Sequence, residues 1–266
     1  MGGEEQFQNA VKSLVDSPGG ILVSDIAEYL KSRIKLLSGL FIISVVAGFS
    51  LTKSVIRWLI EPERLPSDVN IIVTSPIEFI LLQFQIAVSF GIVIIGLFLL
   101  IEALRKGVNN DAIRLRLAEL DVKPPKFSWA FITTIGFTIL FAFAGLLYSW
   151  EFLTPMILQY LTEDAQTAGL STEWRLSGYV GFIVNLALAC VIGFQSPVIT
   201  LLILRLGVVT RGQISQFRKH IWFTAFVLGA FLSPPDPLSL FLVAMPVVIL
   251  FEIAMLIDSI FNISKT

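Results

Sequence analysis

The feature that most constrains this chain is a series of long apolar runs. A helix needs about 20 such residues to cross the hydrocarbon core of a bilayer. Six stretches are candidates: residues 36–53, 77–101, 128–149, 178–204, 221–233 and 238–257. Composition agrees, since only 15% of the 266 residues are charged and 55% are hydrophobic, where a soluble domain carries about 25% charged. Mean hydropathy is +0.83. A soluble domain of this size could not hide so much apolar surface, so lipid must be the main solvent. The expectation is an all-α polytopic membrane protein with six transmembrane helices. It divides into an N-terminal segment (1–35), a six-span domain (36–258) and a short tail (259–266).

The fifth span is short, bounded by Arg218-Lys219-His220 and by Ser233-Pro234-Pro235-Asp236-Pro237. At 1.5 Å per residue it reaches about 20 Å. The fifth and sixth spans therefore read as a short, tight hairpin that does not fill a bilayer. Before the first span, the acidic opening Met1-Gly2-Gly3-Glu4-Glu5 lacks the positive start and apolar stretch of a secretory signal. Phe7, Val11, Leu14 and Val15 have helical spacing and end at the breaker Ser17-Pro18-Gly19-Gly20. A second amphipathic segment, Ser24 to Lys35, is expected to lie in the interface and lead into the first span.

Charge sets the orientation. With six spans, fifteen of the nineteen Lys and Arg residues fall on one side and four (Lys53, Arg57, Arg64, Arg175) on the other. By the positive-inside rule both termini are cytoplasmic.

Catalytic patterns are missing. The chain has no Gly-rich phosphate loop, no His-Glu-x-x-His and no Gly-x-Ser-x-Gly. Its single histidine, His220, excludes a His-pair zinc site, and its single cysteine, Cys190, excludes an internal disulfide. A net charge of −1 argues against a nucleic-acid partner. No enzyme activity, cofactor or metal is expected.

Polar groups inside a bilayer are costly and are candidates for function. Glu78 opens the second span after Thr74-Ser75-Pro76 and reads either as a helix cap or as a site residue. Asp236 follows two prolines and is a turn residue or a site. Glu252 lies near the inner edge of the sixth span, where it either snorkels or serves a role. Gln195 precedes Arg205 by ten residues, hence about 15 Å of helix. A role is expected at that depth, and helix–helix hydrogen bonding is the alternative.

The residues then fall into a series. Leu59-Ile60-Glu61-Pro62, Leu65-Pro66, Thr74-Ser75-Pro76-x-Glu78, Gln195 before Pro197-Val198, and Leu232-Ser233-Pro234-Pro235-Asp236 occur in order, and Phe251-Glu252-Ile253 completes it. In this series the chain resembles the TatC family, the polytopic core subunit of the twin-arginine protein translocase. The resemblance covers residues 25–100 and 127–260, and its most specific element is the Pro-Pro-Asp turn. Six spans and two cytoplasmic termini are what the family has, reached here independently from the charge count.

The chain also departs from the family. The usual His-Leu-x-Glu-Leu-Arg-x-Arg-Leu opening is replaced by Ile26-Ala27-Glu28-Tyr29-Leu30-Lys31-Ser32-Arg33-Ile34, where Lys31 and Arg33 fit and the acid is displaced by one position. The first cytoplasmic loop lacks the aromatic-rich Pro-Gly-Leu segment with Glu-Arg, and Gln195 stands where the family often has a glutamate. These departures suggest a divergent member, with an archaeal source among those that fit.

The resemblance implies a core subunit in a prokaryotic cytoplasmic membrane that binds signal peptides carrying two adjacent arginines. It would help export folded proteins with the proton-motive force. It also implies an oligomer with TatA-type, and where present TatB-type, single-span partners. Arginine's fork favours carboxylates, so recognition needs acids on the cytoplasmic face: Asp25 and Glu28 before the first span, and Glu102, Asp111, Glu119 and Asp121 in the first loop. Asp25 and Glu28 have capping-box spacing, and the loop acids could instead pair with Arg114 and Arg116 on a solvated helix. Lys31 and Arg33 complete the expected signal site. Pro62, Glu78, Gln195, Asp236 and Glu252 are the expected cavity and translocation residues, with the signal's apolar segment near Gln195. The competing readings are a secondary transporter or channel for a small solute, and a scaffold subunit that has lost signal binding.

Overall fold

In the computed structural model, residues 18–65, 69–109, 127–170, 173–205, 210–232 and 237–263 are described. Helices dominate because a backbone in lipid must satisfy its polar groups within its own segment. Five helical segments are long and apolar enough to cross a membrane: Lys31–Leu59, Glu78–Glu102, Ile132–Thr167, Leu176–Arg205 and Pro237–Ile260. This is a multi-pass membrane protein.

Helix α1 runs Pro18–Leu59 without a break. The amphipathic segment expected as a separate interfacial piece is simply the lower part of this helix, about 63 Å long in all. Nothing between Gly20 and Pro62 interrupts helical hydrogen bonding. Helix α2 (Glu78–Asn109) follows, antiparallel to α1 and packed along it. The seam is close: a Cβ on Gly91 would come within 2.8 Å of the Phe41 ring, and one on Gly48 within 3.0 Å of Phe90.

Helix α3 (Phe127–Tyr148) does not stop at the expected end of the third span. It passes through a π-helical turn, Ser149–Leu153, into α4 (Thr154–Thr167). The wider turn accommodates Pro155, which has no N–H to give the preceding turn. The fourth span is divided into α5 (Leu176–Gly193) and α6 (Ser196–Arg205). The reason is Pro197, which leaves the Gly193 carbonyl without its helical donor. The chain tightens there, with the Gln195 N–H donating to the Ile192 carbonyl at 3.0 Å.

The fifth candidate corresponds to α7 (Arg211–Leu232), which starts ten residues before the expected 221 because Arg218-Lys219-His220 are helical too. It is not among the segments apolar enough to span. The sixth corresponds to α8 (Pro237–Ile263), which is 27 residues long. The expectation that this span is also short is therefore corrected: the helix continues through Asp258 and beyond, giving about 40 Å of length. The hairpin itself is present. Arg211 Nη1 donates to Ser259 Oγ at 2.7 Å and Arg218 lies 3.1 Å from Glu252. Both pairs are centred on position 235, inside the expected turn, of which residues 233–236 lie outside those described.

One element departs from the all-α expectation. Strands β1 (Asn70–Ile72) and β2 (Glu173–Arg175) pair in parallel, with Ile71 opposite Trp174. Three residues are too few to show alternation, and partners a hundred positions apart leave no local signal. Beside this pair lies a tight core of Ile56, Leu59, Leu82, Leu158, Tyr179 and Val180. The helices pack as a row: α1 on α2, α2 on α5, α5 on α3 and α8, and α8 on α7. No extensive contact closes the row between α1 and α7 among the described residues. Phe231 is 81% exposed and Phe223 and Ile43 nearly as much, as expected of helices whose outer faces meet lipid.

Candidate functional site

The expected site residues do not converge on one place. Glu78 and Glu102 lie at opposite ends of the segment that α2 contributes to the membrane, about 36 Å apart by helical rise. The expected residues fall at three levels.

At the end bearing the strands, Glu78 is 4% exposed and fully engaged. Its Oε2 accepts from the Thr74 N–H at 2.8 Å and from Thr74 Oγ1 at 3.0 Å. Its Oε1 accepts from the Ser177 N–H at 2.8 Å, in the first turn of α5. Arg175 stands 3.5 Å from Oε1 and also donates to Thr74 Oγ1. The carboxylate thus caps a helix ninety-nine residues away as well as the turn before its own. The carboxylate caps as one reading of the sequence has it, and it reaches across the fold as well: two of these bonds come from Thr74 and one from the first turn of α5. Pro62 opens an exposed 3₁₀ turn (Pro62–Arg64) that follows the end of α1. Arg64 pairs with Glu61, stacks 4.1 Å over the Trp58 ring and donates to the Trp58 carbonyl. Trp58 in turn packs on Trp150, 4.4 Å between centroids.

At mid-depth, Gln195 sits at the α5–α6 break and is 5% exposed. Its Nε2 donates at 3.3 Å to the Thr138 carbonyl of α3 and at 3.4 Å to the Val191 carbonyl. Its Oε1 and the Thr138 hydroxyl are buried without partners. The side chain faces α3 rather than an open cavity, which favours the helix–helix reading. Beside it, Tyr148, Phe194, Phe241, Met245 and Pro246 line an apolar recess of about 500 Å³. Pro246 removes the donor for the Leu242 carbonyl within α8, and Tyr148 OH supplies one at 2.9 Å.

At the other end, Glu252 accepts from Trp222 Nε1 at 3.0 Å and is ion-paired with Arg218 of α7. Both partners lie on α7, so Glu252 ties α8 to its neighbour and does not simply snorkel. Glu102 is 3.7 Å from Arg33, its side chain 15% exposed and that of Arg33 45%. Glu28 and Lys31 are exposed on the lower part of α1. The side chain of Asp25, and the whole of Asp111, Glu119, Asp121 and Asp236, lie outside the described residues. Among the described residues no group of three His, Cys, Asp or Glu is placed to hold a metal.

Two intramembrane polar contacts escaped the sequence reading. Gln85 Nε2 reaches Asn185 Oδ1 at 3.4 Å between α2 and α5, and Ser196 Oγ donates to the Val247 carbonyl at 3.2 Å. A scan for every amide within the apolar runs would have found Gln85 and Asn185. Nothing in the sequence marks Ser196 or Tyr148 as the donor for a distant carbonyl.

Comparison with known proteins gives one answer. Residues 25–246 match the family model described as Sec-independent protein translocase protein (TatC). TatCy of Bacillus subtilis is 28% identical over 242 residues, 89% of this chain and 88% of that protein. TatC of Aquifex aeolicus is 28% identical over 220 residues, 80% of this chain and 85% of that protein. A crystal structure of the twin-arginine translocase receptor TatC, determined in the detergent DDM, superposes with a TM-score of 0.69 at 26% identity, over 87% of this chain and 98% of that one. With most of its length matched, the chain belongs to the TatC family of protein translocase components.

Proposed function

We propose that this chain is the signal-peptide receptor of a twin-arginine translocase. It would bind paired arginines at the inner ends of α1 and α2 and help folded cargo across the cytoplasmic membrane. The observation that carries this reading is the Arg33–Glu102 contact: a largely covered carboxylate at the end of a span, already facing a guanidinium. Glu28 and Lys31 lie on the same stretch of α1. The apolar part of a signal would lie along the recess beside Phe194 and Pro246, whose lining is almost wholly hydrocarbon.

In this reading both termini are cytoplasmic, α7 is a sixth, incompletely apolar span, and single-span partners assemble with the chain in an oligomer driven by the proton-motive force. Only about 18 Å of α7, from Ile221 to Leu232, is apolar, so lipid beside it would thin or neighbouring helices would tilt. Glu78 and Pro62 support the far end rather than the signal site. The test is binding of a twin-arginine signal peptide to the purified protein, against the same peptide with two lysines. A preference of about tenfold for arginine is expected from the loss of charge-assisted fork bonds. Equal binding of the two peptides would overturn the reading.

A further inference from the structure

The Arg33–Glu102 contact raises a question that the receptor reading leaves open, namely what the carboxylate does before a signal arrives. Glu102 is 15% exposed at the end of an apolar segment. A bare carboxylate there would carry a desolvation cost with nothing to offset it. Arg33 supplies the counter-charge, and the α1–α2 seam fixes its place. Phe41 closes over Gly91 and Phe90 over Gly48, so neither helix can slide. Arg33 and Glu102 lie on this seam, about 12 Å below Phe41 and about 16 Å below Gly91 by helical rise.

The contact is nevertheless a loose one. Its 3.7 Å is longer than a charge-assisted hydrogen bond, which falls near 2.8 Å. The Arg33 side chain is 45% exposed and can swing to water or to anionic headgroups on its long stem. Among the described residues it is the counter-charge of Glu102, and it makes no close hydrogen bond to it.

We propose that Arg33 is the resting occupant of the Glu102 carboxylate and the competitor that an incoming signal must displace. The proposal rests on the reading of this chain as a twin-arginine receptor. An arginine of the signal exchanges one guanidinium for another, so Glu102 is never left bare. The newcomer wins if it makes the close two-pronged bond that Arg33 does not. A lysine has no fork and gains little over the resident arginine. Arg33 therefore acts as a specificity-determining residue, raising the threshold for entry above what a single point charge can meet. The exchange also keeps binding reversible, since the resident arginine returns as the signal leaves.

The experiment measures the affinity of fluorescent twin-arginine and twin-lysine signal peptides for the full-length protein in lipid nanodiscs. Arg33→Gln should tighten arginine-peptide binding about two- to fivefold, the range of a half-exposed ion pair. It should tighten lysine-peptide binding more, so that discrimination narrows. Glu102→Gln should weaken the arginine peptide about tenfold, and adding Arg33→Gln to it should change nothing further. Arg33→Lys, which keeps the charge on a slightly shorter stem, should fall between wild type and Arg33→Gln. Weaker or unchanged binding by Arg33→Gln, or a tightening that persists without the Glu102 carboxylate, would overturn the competitor while leaving the receptor reading intact. A wild-type protein that binds both peptides equally would instead overturn the receptor reading, and the proposal with it.

Discussion

The carboxylates at the two ends of the membrane segment of α2 are used in opposite ways. Glu78 is buried, and both of its oxygens accept hydrogen bonds from backbone or hydroxyl donors at 2.8–3.0 Å. Near it lie the strand pair, the 3₁₀ turn and an apolar core around Ile56, Leu82 and Val180. Among the described residues Glu102 meets one arginine, at 3.7 Å, and Glu252, partly exposed, is held by Arg218 and Trp222. One end is saturated and holds the helices in register. The other holds Glu102 by a 3.7 Å pair with a half-exposed arginine and Glu252 by contacts of 3.0–3.1 Å from α7. Saturation marks a scaffold, and loose pairing marks a place where a partner can compete.

Four substitutions test that contrast. The largest effect is expected at Glu78. Alanine there strands the N–H groups of Thr74 and Ser177 and uncouples α5 from the start of α2, so the midpoint for thermal unfolding in detergent should fall by about 6–12 °C. A fall of a degree or two would show that the strand pair and apolar core hold that end without the carboxylate. Next comes Tyr148→Phe, which leaves the Leu242 carbonyl beside Pro246 without a donor in an apolar recess. Chemical unfolding in detergent should show a loss of about 1–2 kcal/mol. No loss would mean that the helix re-forms its bonding around the proline unaided.

Glu252→Gln addresses the other end. The pair with Arg218 is partly exposed, so about 0.5–1 kcal/mol is expected, because Trp222 can still donate to the amide oxygen. Disulfide formation between cysteines placed at Arg211 and Ser259 should slow modestly as α7 loosens. Cross-linking at the wild-type rate would show that apolar packing alone fixes the hairpin. The smallest effect is expected for Gln195→Leu. Its two hydrogen bonds are long and its Oε1 has no partner, so stability should change by no more than about 0.5 kcal/mol, and export by a complemented deletion strain should persist. A failure of export with the fold intact would return Gln195 to the transport machinery.

The membrane-spanning character was legible from composition and run length, and five of the six expected runs coincide with helical segments long and apolar enough to span. The α7–α8 hairpin was read from the Pro-rich turn, whereas residues 178–204 were read as one span and the break near Gln195 came from the structure. The candidate residues were found by type, and their partners were not legible. Glu78, Gln195 and Glu252 stand out as polar residues in apolar runs, each with its own alternative reading: a helix cap, a helix–helix hydrogen bond and a snorkelling acid. Their partners separate them: backbone donors across the fold for the first, a neighbouring helix's carbonyl for the second, a half-exposed arginine for the third.

What the sequence determined by itself is what depends on near neighbours along the chain. Apolar length puts a helix in lipid, a proline at 197 or 246 removes a specific hydrogen bond, and charges at 218–220 limit how much of α7 can be apolar. What only the tertiary structure decided is who receives each freed or buried polar group. The Leu242 carbonyl is met by a tyrosine 94 residues earlier, the α5 amide by a carboxylate 99 residues earlier, and β1 by a strand more than a hundred residues later. Hydrogen bonds and ion pairs act only within a few ångströms, so their partners are set by which helix faces meet, and that is fixed by packing of the whole row rather than by any local pattern.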